Sequence, residues 1–214
     1  NTRLVGSEMC IRDRSKDVLS TLCAMQQLGV TIEDDLDKNV ITVNGVGTCG
    51  FDSPEKPLDL GNSGTGVRLL MGAIAGQPLT ARLTGDSSLS ARPMKRITDP
   101  LQQMGAQIGY LPKNEGKGLL PVTITGANPA LSLSYSTEVA SAQIKSAIML
   151  AGLNARGVTI ISEPYISRDH TESMLRHFGV EVEQQFLADG WHQVTLAGEA
   201  NLKAKKILVP RDPS

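Results

Sequence analysis

The same pattern of apolar and polar positions recurs three times along the chain. In each copy a stretch with apolar residues at helical spacing ends in a glycine, and a short strand pattern follows it. A second strand pattern then ends in another glycine. Since glycine readily ends a helix in the left-handed conformation, the pattern predicts three imperfect copies of one unit. The helix-ending glycines are Gly29, Gly105 and Gly179, and the strand-ending glycines are Gly45, Gly126 and Gly198.

Two further elements lie between these glycine-bounded segments. One is a helix rich in small and apolar residues, predicted over residues 62–75 and again over 141–153. The other is a strand, predicted over 79–84 and over 158–162. The unit is therefore β-α-β-α-β-β, about 75 residues long. Because the apolar helices need burial on every side, we predict an α/β (α+β) fold of repeated βαβαββ units with buried helices and outer sheets.

Both ends of the chain break the pattern. Residues 1–14 show no period, which predicts a non-family or disordered tail, and the helix expected over 16–28 has no preceding strand of the right kind. Near the other end, a strand pattern at 207–209 leads into a turn. We therefore interpret residues 15–214 as one domain, truncated at both ends relative to a longer protein.

Composition narrows the possible functions. With 214 residues, 40% hydrophobic and only 3% aromatic, the core must be mainly aliphatic. A net charge of −1 argues against a basic nucleic-acid surface, and no apolar run is long enough to span a membrane. Cys10, Cys23 and Cys49 form neither a CxxC pair nor a metal-binding spacing, which favours reduced thiols in a cytoplasmic protein. We expect no metal site, no signal peptide and neither nucleic acid nor membrane as a partner.

The first candidate site is the loop that leads into the apolar helix at 62–75. Asn62 is a suitable N-cap, and Ser63, Gly64 and Thr65 would then carry free backbone amides at the helix start. An anion could bind those amides at the positive end of the helix dipole, with Arg68 one turn further on. Taken alone, the segment is equally typical of a glycine-rich turn before a core helix.

Three more helix starts carry polar or cationic residues. Arg92 precedes a helix predicted to begin at Pro93, although a lone loop arginine more often forms a surface ion pair. Ser141, Ala142 and Gln143 open the second apolar helix, where an ordinary N-cap is the alternative. Arg168 precedes Asp169 and Glu172, which have the spacing of a capping box. If the repeated helices run parallel, these starts converge on one face suited to a small polyanion with phosphate and carboxylate groups.

Together these stretches resemble the 5-enolpyruvylshikimate-3-phosphate (EPSP) synthase family, also called 3-phosphoshikimate 1-carboxyvinyltransferases. The resemblance spans about Ser15 to Ser214 and rests on four motifs: Gly61-Asn62-Ser63-Gly64-Thr65…Arg68, Gly85-Asp86…Ser88-Leu89…Arg92-Pro93-Met94, Ser141-Ala142-Gln143 and Ser167-Arg168-Asp169-His170-Thr171-Glu172.

The resemblance implies a site for two substrates. It assigns phosphoenolpyruvate to Gly64, Arg92 and Gln143. It assigns shikimate 3-phosphate to Ser141, Ala142, Gln143 and Arg168. The possible neighbours of the two substrates are Asn62, Thr65, Arg68 and Tyr165. A side chain at Gly64 would crowd the herbicide glyphosate more than the natural substrate.

The resemblance also implies the reaction and the partners. The family transfers the enolpyruvyl group to the 5-hydroxyl of shikimate 3-phosphate, in the shikimate pathway to chorismate and aromatic amino acids, without metal or organic cofactor. Its fold has two domains, each an inside-out α/β barrel of three units, and this chain matches most of one. The early Lys-Ser…Arg segment and the second domain with its acid/base residues have no counterpart here. No catalytic acid or base is therefore assigned, the chain alone is expected to be inactive, and the parent enzyme is expected to be monomeric.

Two alternatives stay open at this point. The UDP-N-acetylglucosamine 1-carboxyvinyltransferases share the repeat, and binding of shikimate 3-phosphate rather than UDP-N-acetylglucosamine would separate the two families. A non-catalytic repeat module could also use the same helix starts to bind an anion.

Overall fold

A computed structural model describes residues 4–10, 15–35, 37 and 40–207, with only the backbone for 4–10. The second and third units are complete. The second contains β4 (Leu58–Asp59), α2 (Gly64–Ala75), β5 (Thr80–Thr84), α3 (Ser87–Ser90), α4 (Lys95–Gln103), β6 (Gln107–Tyr110), α5 (Pro112–Glu115) and β7 (Val122–Thr125). The third contains β8 (Ala130–Leu131), β9 (Ser134–Ser136), α6 (Ala142–Gly152), β10 (Ala155–Arg156), β11 (Val158–Glu163), α7 (His170–His177), β12 (Val182–Phe186) and β13 (His192–Ala197).

The two complete units have the same sheet topology, which confirms the predicted repeat. In the second unit β4 runs parallel to β5, and β7 lies antiparallel between β5 and β6. In the third unit β9 runs parallel to β11, and β13 lies antiparallel between β11 and β12. Each unit therefore contributes one four-stranded sheet. The short strands β8 and β10 form a separate parallel pair.

The described part of the first unit corresponds to the second half of a complete unit. It contains β1 (Leu4–Cys10), α1 (Lys16–Gln27), β2 (Thr31–Asp35) and β3 (Val40–Gly45), with β3 antiparallel between β1 and β2. Strand β1 thus holds the position of β5 and β11. The expectation of a helix without a preceding strand is therefore wrong. The sequence of β1, Leu-Val-Gly-Ser-Glu-Met-Cys, does not alternate between apolar and polar residues and so carried no strand signal. The rest of the expected tail, residues 1–3 and 11–14, lies outside the described residues.

The three helix-ending glycines have the predicted conformation. Gly29, Gly105 and Gly179 have φ values of 88°, 98° and 87°, which is the left-handed region. A side chain with a Cβ is strained there, so these positions favour glycine.

The apolar helices α2 and α6 form the centre of the molecule, and the sheets cover them. The two helices pack against each other, and α4 packs against both. Along β5, Ala81 and Leu83 face the core while Thr80 and Arg82 face solvent. This alternation confirms the expected arrangement of inner helices and outer sheets. Among the described residues, no helix is long and apolar enough to cross a membrane.

Two small residues allow α2 and α6 to approach closely. A Cβ added at Gly72 of α2 would lie 2.6 Å from the Cα of Ala147 in α6, where no side chain can fit without movement of the backbone. A Cβ added at Gly76 would lie 2.7 Å from the carbonyl oxygen of Ala151. Backbone contact between these helices therefore requires glycine on α2, and it keeps the starts of the two helices close together.

We expect Gly72→Ala to destabilise the fold by about 1–3 kcal/mol, because overpacking against a rigid backbone outweighs the better helix propensity of alanine. The measurement is the free energy of unfolding in urea. Gly109→Ala is the matched control, since the nearest atom to its added Cβ is 3.8 Å away. Equal stability of the two variants would contradict the close helix approach.

Candidate anion-binding site

The start of α2 is capped by Ser63 rather than by Asn62. The Ser63 hydroxyl accepts a hydrogen bond from the Gly66 amide at 3.2 Å, which satisfies one of the free amides of the first turn. The predicted cap at Asn62 is therefore wrong by one residue. Asn62 is instead available for a second set of contacts outside the helix.

Gln143 joins the start of α6 to the start of α2. Its side-chain amide donates to the Thr65 hydroxyl at 2.8 Å, and its carbonyl oxygen accepts from Nη1 of Arg68 at 2.8 Å. Arg68 is thereby turned toward α6, although it belongs to α2. The structure brings together two helix starts that are separated by more than 70 positions in the sequence.

Arg92 reaches the same place from a different element than predicted. It lies in the connection between α3 and α4, after the short helix that Asp86 caps, and α4 begins only at Lys95. The prediction that Arg92 stands directly before a helix start is therefore wrong. The short helix α3 has no apolar period, and Pro93 falls in the turn that follows it.

Arg92 is held in place by a chain of polar contacts. Its Nη2 donates to the side-chain oxygen of Asn62 at 2.6 Å and to the Ser88 hydroxyl at 3.4 Å. The Asn62 amide nitrogen in turn donates to Asp86 at 2.8 Å. Hydrogen bonds from the Leu89 amide, and then from Asn62, lower the pKa of Asp86, so this carboxylate stays ionised and orients Asn62.

Two guanidinium groups surround Gly64. A Cβ added at Gly64 would lie 2.6 Å from Nη1 of Arg92 and 3.6 Å from Nη1 of Arg68. The pKa of Arg68 is lowered, first by burial and then by the neighbouring positive charge of Arg92. Two like charges beside a glycine at a helix start form a favourable place for an anion.

Arg168 lies on the other side of Gln143. A hollow of about 420 Å³ is lined by Ala140, Ser141, Ala142, Gln143, Ser167 and Arg168. Ser141 is the N-cap residue of α6, although its side chain makes no capping hydrogen bond. Tyr165 belongs to the same loop as Arg168, but it is 62% exposed and does not line the hollow.

None of the three arginines forms a salt bridge with a carboxylate within the part of the chain that the structure describes. The ion pairs found there involve other side chains. The site therefore holds several cations. Within the described residues, the side chains that hydrogen-bond Arg68 and Arg92 are neutral, and Arg92 also interacts with the charge of Asp86. Such an arrangement favours a ligand with more than one negative group.

The structure also shows residues that the sequence analysis did not assign to the site. Ser167 lines the hollow, and its hydroxyl is buried. Below the hollow, Lys145 forms ion pairs with Glu163 and Glu172. Glu172 was expected to complete a capping box with Asp169, yet Asp169 makes no such capping bond and Glu172 is buried. The available signal was a lysine inside an otherwise apolar helix.

The repeated fold and the helix starts rich in positive charge are features suited to an anion-binding protein. Comparison with known proteins then shows the family. Residues 7–214 match the family model described as EPSP synthase (3-phosphoshikimate 1-carboxyvinyltransferase). The chain therefore belongs to the EPSP synthase family.

Individual relatives agree with this assignment. The chain is 51% identical to the 3-phosphoshikimate 1-carboxyvinyltransferases of Nitrobacter hamburgensis and Novosphingobium aromaticivorans, over 93% of its own length and 44% of theirs. The solved structure of EPSP synthase from Acinetobacter baumannii superposes with a TM-score of 0.86 at 42% identity, covering 95% of this chain and 44% of that one. The chain thus spans less than half the length of these relatives, and its fold is that of one part of the enolpyruvyl transferase architecture.

The buried carboxylate of Glu163 predicts a dependence of stability on pH. Burial raises its pKa, but hydrogen bonds from Lys145 and Ser167 outweigh that effect and lower the pKa below the ordinary value of 4.5. Because the pKa of Glu163 is lower in the folded than in the unfolded state, its ionised carboxylate stabilises the fold above pH 4.5. This stabilisation is lost as the pH falls through the folded-state pKa.

We expect the free energy of unfolding in urea to fall less for Glu163→Gln than for the wild-type chain as the pH is lowered from about 5.5 to about 3.5, roughly one unit on either side of the ordinary value. Glu199→Gln removes an exposed carboxylate, 69% accessible, and is the control that should follow the wild-type profile. Parallel acid profiles for wild type and Glu163→Gln would count against a lowered pKa.

Proposed function

We propose that this chain is the substrate-binding part of an enzyme that transfers the enolpyruvyl group of phosphoenolpyruvate to the 5-hydroxyl of shikimate 3-phosphate and releases phosphate. The supporting observation is the gathering of Arg68, Arg92 and Arg168 around two helix starts without carboxylate partners in the described residues. The names of the similar proteins supply the substrate class.

Phosphoenolpyruvate is assigned to Gly64, Arg92 and Gln143. The absence of a side chain at Gly64 leaves the first amides of α2 accessible, and Arg92 adds a charged donor directly beside them. Gln143 presents one donor and one acceptor between the helices. The carboxylate and phosphate groups of the substrate are the kinds of group that charged donors and helix starts bind.

Shikimate 3-phosphate is assigned to Ser141, Ala142, Gln143 and Arg168. These four residues line the same hollow, at the start of α6. Asn62, Thr65 and Arg68 act as neighbours that orient Arg92 and Gln143, while Tyr165 lies at the exposed edge of the Arg168 loop. The two proposed subsites share Gln143, which places the two substrates next to each other.

In the proposed reaction the 5-hydroxyl gives up its proton and attacks C2 of phosphoenolpyruvate while C3 accepts a proton. Loss of phosphate from C2 and of a proton from C3 of the tetrahedral intermediate then gives the enol ether. The chain contributes preorganised positive charge, which offsets the repulsion between two anionic substrates and stabilises negative charge as it develops. We assign no acid or base to this chain and propose no metal or organic cofactor. The remaining groups belong to a second domain, which we propose as the partner of this one.

The two alternative functions are separated by direct binding. A protein specific for UDP-N-acetylglucosamine would bind that nucleotide sugar and not shikimate 3-phosphate. An anion-binding module would bind inorganic phosphate as well as it binds either substrate. Preference of the chain for shikimate 3-phosphate over both ligands supports the proposed function.

We expect Arg168→Ala to weaken binding of shikimate 3-phosphate by about tenfold or more, the usual effect of losing a charged hydrogen bond. Arg92→Ala should weaken the binding of phosphoenolpyruvate more than the binding of shikimate 3-phosphate. Titration calorimetry on the 214-residue chain measures both. Arg82→Ala is the control, because Arg82 is exposed on the outer face of β5. Equal loss in all three variants would argue for unspecific attraction to positive charge.

We further expect the isolated chain to release no phosphate from a mixture of the two substrates, since the groups that transfer protons are assigned to the second domain. A phosphate-release assay at high protein concentration measures this. Turnover by the chain alone, abolished by Arg92→Ala, would contradict the assignment of the acid and base to another domain.

A further inference from the structure

A fully buried ammonium group lies beneath the Arg168 loop. Lys145 is in the first turns of α6 and has no exposed surface, which is unusual for lysine. Its Nζ donates to Glu163 at 2.9 Å and lies 2.7 Å from Glu172, and both carboxylates are at most 1% exposed. Because desolvation offsets most of the attraction in a buried ion pair, stability alone does not explain this cluster.

The two carboxylates flank the segment that carries Arg168. Glu163 is the last residue of β11, and Glu172 lies in the first turn of α7. The same Glu163 oxygen also accepts a hydrogen bond from the Ser167 amide at 3.1 Å. One lysine therefore holds the chain on both sides of Arg168.

A second contact strengthens the connection to α6. The hydroxyl groups of Ser146 and Thr171 lie 2.6 Å apart, next to the Lys145–Glu172 pair. From the opposite side, His192 Nδ1 lies 3.1 Å from Glu163, and Gln184 donates to Glu172 at 3.4 Å. Strands β12 and β13 thus contact the two carboxylates from one side, and Lys145 links both of them to α6.

The helix that carries Lys145 begins with the residues that face Arg168 across the hollow. Lys145 follows Gln143 by two positions, so the ion pairs lie within one helical turn of the proposed substrate contacts. Any shift of the Arg168 loop against α6 would have to break these buried pairs. The contacts of Arg92, by contrast, go to Asn62 and Ser88 and do not involve the cluster.

We infer that Lys145 is a positioning residue, which binds Glu163 and Glu172 so that Arg168 is held at the start of α6, ready for the phosphate group of shikimate 3-phosphate. The inference rests on the proposed function, because it assigns that ligand to Arg168. It predicts a defect confined to one of the two substrates. A merely structural role would affect both substrates alike.

The test compares the wild-type chain with Lys145→Met/Glu163→Gln/Glu172→Gln, which removes all three charges while retaining similar volumes. We expect binding of shikimate 3-phosphate, measured by calorimetry, to weaken by about tenfold to a hundredfold, as displacement of a contact group does. The affinity for phosphoenolpyruvate should change by less than about twofold, because effects of mutations at separate sites are usually independent. The Ser167 amide should exchange with solvent about tenfold faster by nuclear magnetic resonance, because its local opening becomes easier.

A matched control and a milder variant keep the test decisive. Arg156→Met/Glu199→Gln removes an exposed ion pair and should change none of the three readouts. Glu172→Gln alone retains the Lys145–Glu163 pair, and it should shift the same readouts in the same direction by a smaller factor.

Different results would contradict the role of Lys145 and the proposed binding of shikimate 3-phosphate by Arg168. Unchanged shikimate 3-phosphate binding together with unchanged Ser167 exchange in the triple variant would overturn the inference, as would an equal loss for both substrates. Binding by Arg168→Ala that equals wild type would instead refute the assignment of the ligand to Arg168. In that event, or without measurable ligand binding, the Ser167 exchange rate in Glu172→Gln decides whether the Lys145 cluster holds the loop, because this variant leaves Glu163, the acceptor of the Ser167 amide, unchanged.

Discussion

The backbone contact between α2 and α6 is the constraint on which the site depends. Gly72 lies against Ala147, and Gly76 lies against Ala151, so the two helices pack more closely than larger residues would permit. Close packing brings their starts within reach of a single side chain, Gln143. A wider spacing would separate the cations of α2 from the hollow at the start of α6. The small residues of these helices therefore determine the geometry of the proposed site.

Positive charge in this chain is concentrated by structure rather than by composition. The net charge is −1, yet two guanidinium groups lie beside Gly64 and a third lines the neighbouring hollow. Burial and mutual repulsion lower the pKa of Arg68, and neutral partners such as Asn62 and Gln143 hold the arginines in place. A bound anion would relieve the repulsion between the like charges of Arg68 and Arg92, so the arrangement is preorganised for the proposed ligands.

The sequence predicted the features that depend on local periodicity and on glycine. The repeat, the cap glycines such as Gly105 and the buried apolar helices followed from patterns within each unit. The place of Arg92 did not follow, because the four-residue helix α3 has no period to detect. The role of Glu172 was missed for a different reason: its spacing from Asp169 suggested a cap, while its true partner, Lys145, lies on another helix. Contacts between distant elements leave no local signal, so neither the Arg92–Asn62 contact nor the carboxylate partners of Lys145 were predictable. A lysine inside an otherwise apolar helix was the one sign of the buried cluster.

The most direct measurement is a crystal structure of the 214-residue chain grown with shikimate 3-phosphate and phosphoenolpyruvate. The account predicts one phosphate group in the hollow between Ser141 and Arg168, and a second anion at the start of α2 beside Gly64 and Arg92. Both ligands should contact Gln143. Ligands bound on another face of the molecule, with Gln143 still bonded only to Thr65 and Arg68, would contradict it.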